Sequence, residues 1–229
     1  MPDVEFSVEG GIYTKALSVS LTADPGYTIY YTTDGSDPKV SGQKYSTPIK
    51  VQNSTGSTGD LTKSIAKRFG YAAPTSQMVG TVIKAYAVKG TEKTDVYTNT
   101  YIVSSNFTSL YKLPSVSISL EFTDFATDTG IYVSVMNHPF DTKERKVAFF
   151  EYFDKSGSKV AGQFVELSMH GNGSLGNQQK SMRLYFKKDA NPTEMENPGK
   201  LKYDVFGGRV LDFNGETIDS YKRLLLRNS

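Results

Sequence analysis

No segment of this sequence sustains a helical period. Short runs rich in Tyr, Val, Ile and Thr instead alternate with Gly, Pro, Asp and Ser turns along most of the chain. That pattern predicts a mainly β fold. In the first half, strands are expected over Leu17–Leu21, Thr28–Thr32, Ile49–Val51, Val82–Val88 and Val96–Val103. Leu17, Val19 and Leu21 share one face, Ser18 and Ser20 the other, and Ile83, Ala85 and Ala87 repeat the alternation. Strands this short, with no helix between them, predict a β-sandwich of about 100 residues. The exception is residues 52–80, an insertion whose first part is polar and rich in Gly, Ser and Thr; within it Leu61–Phe69 is expected to form a short helix capped by Asp60.

The pattern lapses over residues 105–112, read as a linker between a first domain of residues 1–104 and a second of residues 113–229. Beyond Pro114, which favours an extended predecessor, strands are expected over Val116–Leu120, Ile131–Val135, Val147–Phe153, Gln163–Met169 and Met182–Phe186. Asp154–Ser158 (DKSGS) is turn chemistry between two of them. Asn191–Gly199 reads as a surface loop and Leu224–Leu226 as the start of a buried element.

Composition removes several kinds of chemistry. The 229 residues contain no cysteine and two histidines, His138 and His170, so a zinc-thiolate site, an iron–sulfur cluster, a redox dithiol and a Cys/His protease are excluded. With 26 Lys and Arg against 24 Asp and Glu, the net charge of +2 gives no footprint for nucleic acid or an anionic membrane. No apolar stretch approaches the roughly 18 residues of a membrane-spanning helix. The start, MPDVEFSVEGG, has no basic segment followed by an apolar one, and LLLRNS ends on an apolar run. The expectation is a piece of a longer, exported protein whose leader lies outside it.

Two segments carry specific chemistry. Thr28–Pro38 (TIYYTTDGSDP) runs a Tyr/Ile strand into Asp34-Gly35, suited to positive φ, and then into Asp37-Pro38. Its oxygens on Asp34, Ser36 and Asp37 suggest calcium, but Lys39 and Tyr45 stand where a calcium loop needs glycine and a carboxylate, so a structural corner is favoured. Together with Tyr45–Ile49, TVIKAYAV and TNTYIV, this segment resembles the chitobiase/β-hexosaminidase C-terminal type of module over about residues 6–103. The resemblance implies an immunoglobulin- or fibronectin-III-like sandwich that is a non-catalytic accessory of secreted carbohydrate-active or surface proteins. Tyrosine rings can stack on sugar, and Tyr97 and Tyr101 share a strand face as candidates for glycan contact, against sheet packing as their alternative use and with no Trp in the chain.

In the second half Gly171, Gly173 and Gly176 form a G-x-G-x-x-G loop followed by Lys180. The residues after it alternate as a strand, with Met182, Leu184 and Phe186 on one face and Arg183, Tyr185 and Lys187 on the other, so a dinucleotide-binding turn is disfavoured. Strand, glycine loop, strand leaves two readings: a hairpin whose glycines serve only turns, or a loop covering phosphates with Lys180 or Arg183 as the cation. Five blocks in order, LPSVSISLEFTDFATDTGIYV, KERKVAFFEYFDKSG, HGNGSLGNQQKSMRLYFKK, LKYDVF and LLLRNS, resemble the N-terminal part of the CotH kinase family over about residues 112–229.

That resemblance implies an atypical protein-kinase-like domain using ATP with Mg or Mn, in bacterial spore-coat kinases, secreted surface or cellulosome-associated proteins and fungal adhesins. It implies that Lys180 pairs with nucleotide phosphates, that Gly171, Gly173 and Gly176 cover them, and that Arg183 and the block Arg227-Asn228-Ser229 belong to the same recurrent set. It also implies metal-binding Asp motifs beyond Ser229, so this chain alone is expected to be inactive and to hold no nucleotide tightly. The partner expected for the intact protein is a protein phosphoacceptor on a cell surface or coat. The alternative is a non-catalytic adhesion, scaffolding or carbohydrate-binding protein with a glycan partner.

Overall fold

The structure is a computed structural model that describes residues 3–54, 60–68, 70–75, 77–107, 113–133, 144–171, 175, 179–190 and 197–227. It is mainly β, as the alternation predicts. The chain divides into two units, one comprising Met1–Phe122 with Tyr152–Lys159 and the other Thr123–Glu151 with Val160–Ser229.

In the first unit the elements run β1 (Val4–Phe6), β2 (Gly11–Tyr13), β3 (Leu17–Val19), β4 (Leu21–Ala23), β5 (Thr28–Thr32), α1 (Pro38–Ser41), β6 (Gln43–Lys44), β7 (Ile49–Val51), α2 (Asp60–Arg68), β8 (Thr81–Lys89), β9 (Glu92–Lys93), β10 (Tyr97–Val103) and β11 (Ser115–Ser119). The main sheet has the order β2-β10-β8-β5-β6, with β9 added to β8. β2 joins it in parallel, on β10. Two antiparallel pairs, β1 with β4 and β3 with β7, supply a second layer.

Period-2 alternation explains the core. Ile29 on β5, Ile83, Ala85 and Ala87 on β8, and Tyr101 and Val103 on β10 point one way, where they pack with Val4, Val19, Leu21, Ile49 and Val51. These inward residues make the unit a sandwich. The expected strand over Leu17–Leu21 is two strands here, because the chain changes partner at Ser20: β3 pairs with β7 and β4 with β1. Ser7 holds the step, its N–H donating to the Ser20 carbonyl at 2.9 Å and its hydroxyl accepting from the Ser20 N–H at 2.8 Å. Alternation continues unbroken through the step, so the sequence pattern does not mark it.

The turn of residues 154–158 also belongs to this unit. Asp154 Oδ1 accepts from the N–H groups of Ser156 (2.8 Å) and Ser158 (3.1 Å), and Gly157 adopts φ +88°. The Gly157 carbonyl in turn accepts from the N–H of Ile12 at 2.8 Å.

In the second unit, α3 (Phe122–Ala126, its first residue in the first unit) precedes β12 (Lys146–Phe153), β13 (Lys159–His170), β14 (Ser181–Tyr185), β15 (Leu201–Lys202), β16 (Ser220–Tyr221) and β17 (Arg223–Leu226). Strands β12, β13, β14 and β17 are successive neighbours in one sheet, and β15 pairs with β16. Edge-to-face contacts of Phe149 with Phe164 (5.0 Å) and Phe150 with Phe186 (5.2 Å) pack it.

Three expectations for this unit are corrected. Residues 131–133 are helical rather than the start of a strand: the Val133 N–H donates to the Gly130 carbonyl, and a buried Ile-Tyr-Val run is too short for periodicity to separate the two conformations. Of the expected surface loop over 191–199, residues 191–196 lie outside the described residues and Pro198 is exposed, but Asn197 and Gly199 are buried; the Asn197 amide donates to the carbonyls of Phe164 and Lys187, each at 2.7 Å. Leu224–Leu226 lies in a strand with Leu225 40% exposed and its neighbours half-buried, not in a buried element.

Candidate functional site

The corner of the first unit spends its oxygens on its own backbone. Asp34 Oδ1 accepts from the Ser36 N–H (3.0 Å) and hydroxyl (2.6 Å), while Asp37 caps α1 by accepting from the Lys39 N–H at 2.8 Å, with Pro38 in the first turn. Gly35, at φ +82°, donates its N–H to the Val82 carbonyl at 3.0 Å. Burial pushes the Asp34 carboxyl up, but its hydrogen bonds with Ser36 outweigh that and hold it below the usual carboxylate range. This is the geometry of a structural turn.

The two tyrosines proposed for glycan contact differ. Tyr101 is 1% exposed; its ring packs beside Tyr13 in the core and its hydroxyl donates to the Val8 carbonyl at 2.7 Å, which leaves no face for a pyranose. Tyr97 is half-buried and its hydroxyl donates to Asp3 at 2.6 Å. The sharing of a face, read correctly from spacing, puts both on the inward side of β10.

In the second unit Lys180 is 5% exposed. Its ammonium donates to the carbonyl of Leu175, inside the glycine segment, and stands 4.7 Å from the centroid of Tyr132. Burial lowers its pKa from the ordinary lysine value. Gly171, just after β13, adopts φ 142°, a conformation that suits glycine. Gly173 and Gly176 lie outside the described residues, as do His138, Asn228 and Ser229.

Arg183 lies with a different set. In β14 it shares a face with Ser181 and Tyr185, opposite Ser168 of β13 and Leu225 of β17. One guanidinium nitrogen is 2.6 Å from His170 Nδ1 and the other donates to the Tyr185 hydroxyl at 3.3 Å. Burial, then the charges of Arg183 and Arg227, lower the His170 pKa, so the imidazole is neutral near pH 7 and Nδ1 accepts.

Around them Tyr185 lies between Arg145, 3.8 Å from its ring centroid, and Arg223 at 5.3 Å. Glu166 pairs with Arg145 at 2.7 Å and Lys187 at 3.0 Å. Burial raises the Glu166 pKa, but these two cations outweigh it and the carboxyl titrates below its ordinary range. The sequence reading identified the shared face of Arg183, Tyr185 and Lys187 but not its partners across β13, where Glu166, Ser168 and His170 carry the same alternation.

The arrangement separates the residues expected to hold nucleotide. Lys180 lies with Leu175 and Tyr132 next to the glycine segment, whereas Arg183 belongs to the His170 and Tyr185 group. For a divalent metal the fit is lacking: among the described residues no three His, Asp or Glu side chains converge.

The first unit is a β-sandwich with a glycine and proline corner after β5. Residues 8–58 match the family model of the chitobiase/β-hexosaminidase C-terminal domain. The matched span takes in the TIYYTTDGSDP corner, ends before β8 and β10, and does not reach the residues that carry the resemblance to the CotH kinase family. No curated protein and no solved structure matches the chain. Among the described residues, no helix is long and apolar enough to cross a membrane.

Proposed function

We propose that this chain belongs to an extracellular bacterial surface protein in which an accessory sandwich precedes the β-rich, nucleotide-holding portion of a CotH-type protein kinase domain. The observation that carries the reading is Lys180: a cation held in a low-dielectric site, at the end of a glycine segment and the start of a strand, with its ammonium donating to the Leu175 carbonyl and lying over the Tyr132 ring. An anionic phosphate entering that site exchanges a carbonyl for a full charge, and burial strengthens the exchange. ATP supplies the phosphoryl group when bound. This chain's own contribution is to position its phosphates through Lys180, while metal-binding carboxylates come from elsewhere in the intact protein.

Calorimetric titration with ATP, in Mg and separately in Mn, tests the reading. Weak saturable binding without phosphoryl transfer is expected, and no saturable binding at millimolar ATP rejects it.

A second reading, a non-catalytic adhesion or scaffolding protein, draws on the accessory-domain match at residues 8–58. Binding of the chain to a glycan panel, with no response to ATP, favours it.

A further inference from the structure

Groups from three separate stretches of the first unit meet at Asn99 of β10. Backbone pairing brings them together: Gly11 of β2 pairs with Tyr101 of β10 and also bridges Ser158, so Gly10, Asn99 and Lys159 become neighbours. Lys159, the first residue of β13, closes the 152–159 segment that belongs to this unit. Asn99 is 5% exposed, on the side of β10 that also carries Tyr97 and Tyr101.

The Asn99 carboxamide oxygen accepts twice, from the Lys159 ammonium at 2.6 Å and from the Gly10 N–H at 3.1 Å. Lys159 Nζ also stands 3.3 Å from Glu9 Oε1. Since a carbonyl bond is about 1.2 Å long, Asn99 Cγ lies within about 3.8 Å of Nζ. A nucleophile, a polarised carbonyl and a base are thus in reach of one another: the Gly10 N–H points at the oxygen on which charge develops, and Glu9 at the nitrogen that gives up a proton. The Lys159 side chain is 13% and that of Glu9 67% exposed, so the reacting pair is sheltered from competing water and the base lies at the solvent edge.

We infer that Asn99 and Lys159 join in an isopeptide bond that this chain forms by itself. Glu9 takes a proton from the Lys159 ammonium, and the neutral amine attacks Asn99 Cγ, forming the new C–N bond while the Gly10 N–H holds the oxyanion. Glu9 then protonates the original amide nitrogen, which leaves as ammonia when its C–N bond breaks, and accepts the surplus proton from the new amide nitrogen. That proton departs with the ammonia, so each bond releases one ammonium ion and consumes no further reactant. The bond closes the chain between positions 99 and 159, which restricts the unfolded state as a disulfide does in a chain that contains cysteine.

The test is the intact mass of the purified full chain, followed over days at neutral pH. A mass one ammonia, about 17 Da, below the value for its residues is expected. Trypsin should then yield residues 94–112 joined to residues 156–180, uncleaved after Lys159. The joined product distinguishes this bond from ammonia loss at Asn172-Gly173 or Asn214-Gly215, which joins no peptides. Lys159→Arg should give no joined product, and Glu9→Gln, altered at an exposed position, should form it about a hundredfold more slowly. An unreduced mass, or a mass loss without the joined product, overturns the inference. So does formation at an unaltered rate in Glu9→Gln, because Glu9 would then not be the base.

Discussion

Lys180, just before β14, and Arg183, within it, have separate partners: the Lys180 ammonium is bonded to the Leu175 carbonyl near Tyr132, and the Arg183 guanidinium to His170 Nδ1 at 2.6 Å. A phosphate group bound at Lys180 therefore meets one cation of this pair.

Arg183 acts on His170 instead. Burial first, and then the charges of Arg183 and Arg227, hold the His170 pKa below its ordinary value of 6.5. As pH falls below about 6.5 the unfolded chain takes up a proton that the folded chain resists, so this residue makes the protein less stable towards acid. Arg183→Gln should raise the pH at which the His170 ring titrates, read from its Cε1–H resonance by NMR. An unchanged midpoint contradicts the contact.

Glu166 has the opposite sign. Its pKa is lowered, because the bonds to Arg145 and Lys187 outweigh burial. The stability it contributes is present above the unfolded value near 4.5 and is lost as pH falls through the lower folded value. Glu166→Gln should cost about 1 kcal/mol at pH 7, since both cations are partly exposed, and should cost little near pH 2. Urea denaturation at the two pH values measures it; an equal cost at both shows that the charge is not involved.

Two glycines at positive φ should respond differently to alanine. At Gly157 (φ +88°) a Cβ lies 2.8 Å from Ile12 Cβ and 3.0 Å from the Ile12 carbonyl oxygen; at Gly207 (φ +62°) it meets nothing within 4 Å. Gly207→Ala should cost only the left-handed backbone term of about 1 kcal/mol, and Gly157→Ala that term plus displacement of Ile12, more than about 2 kcal/mol in all. Denaturant midpoints compare the two, and equal costs contradict the close approach.

Alternation and turn chemistry made the sandwich legible before the structure. Ile83, Ala85 and Ala87 are inward as read, the TTDGSDP corner is a turn built on Asp34 and Asp37, and DKSGS is a tight turn. What stayed hidden depends on partners rather than period. Nothing local marks the switch of sheet at Ser20, or distinguishes helix from strand at 131–133. For the site, spacing showed which residues share a face but not whether that face is open. Tyr97 and Tyr101 share theirs with the core, and Glu166 meets Lys187 and Arg145 through pairings that a strand list does not contain.

Calorimetric titration of Mg-ATP into the chain and into two variants, Lys180→Met and Arg183→Gln, probes the assignment of Lys180 as the phosphate cation. Weak saturable binding is expected for the unaltered chain and for Arg183→Gln, and its loss for Lys180→Met, with circular dichroism confirming that all three are folded. Binding that survives Lys180→Met, or that disappears with Arg183→Gln instead, contradicts the assignment.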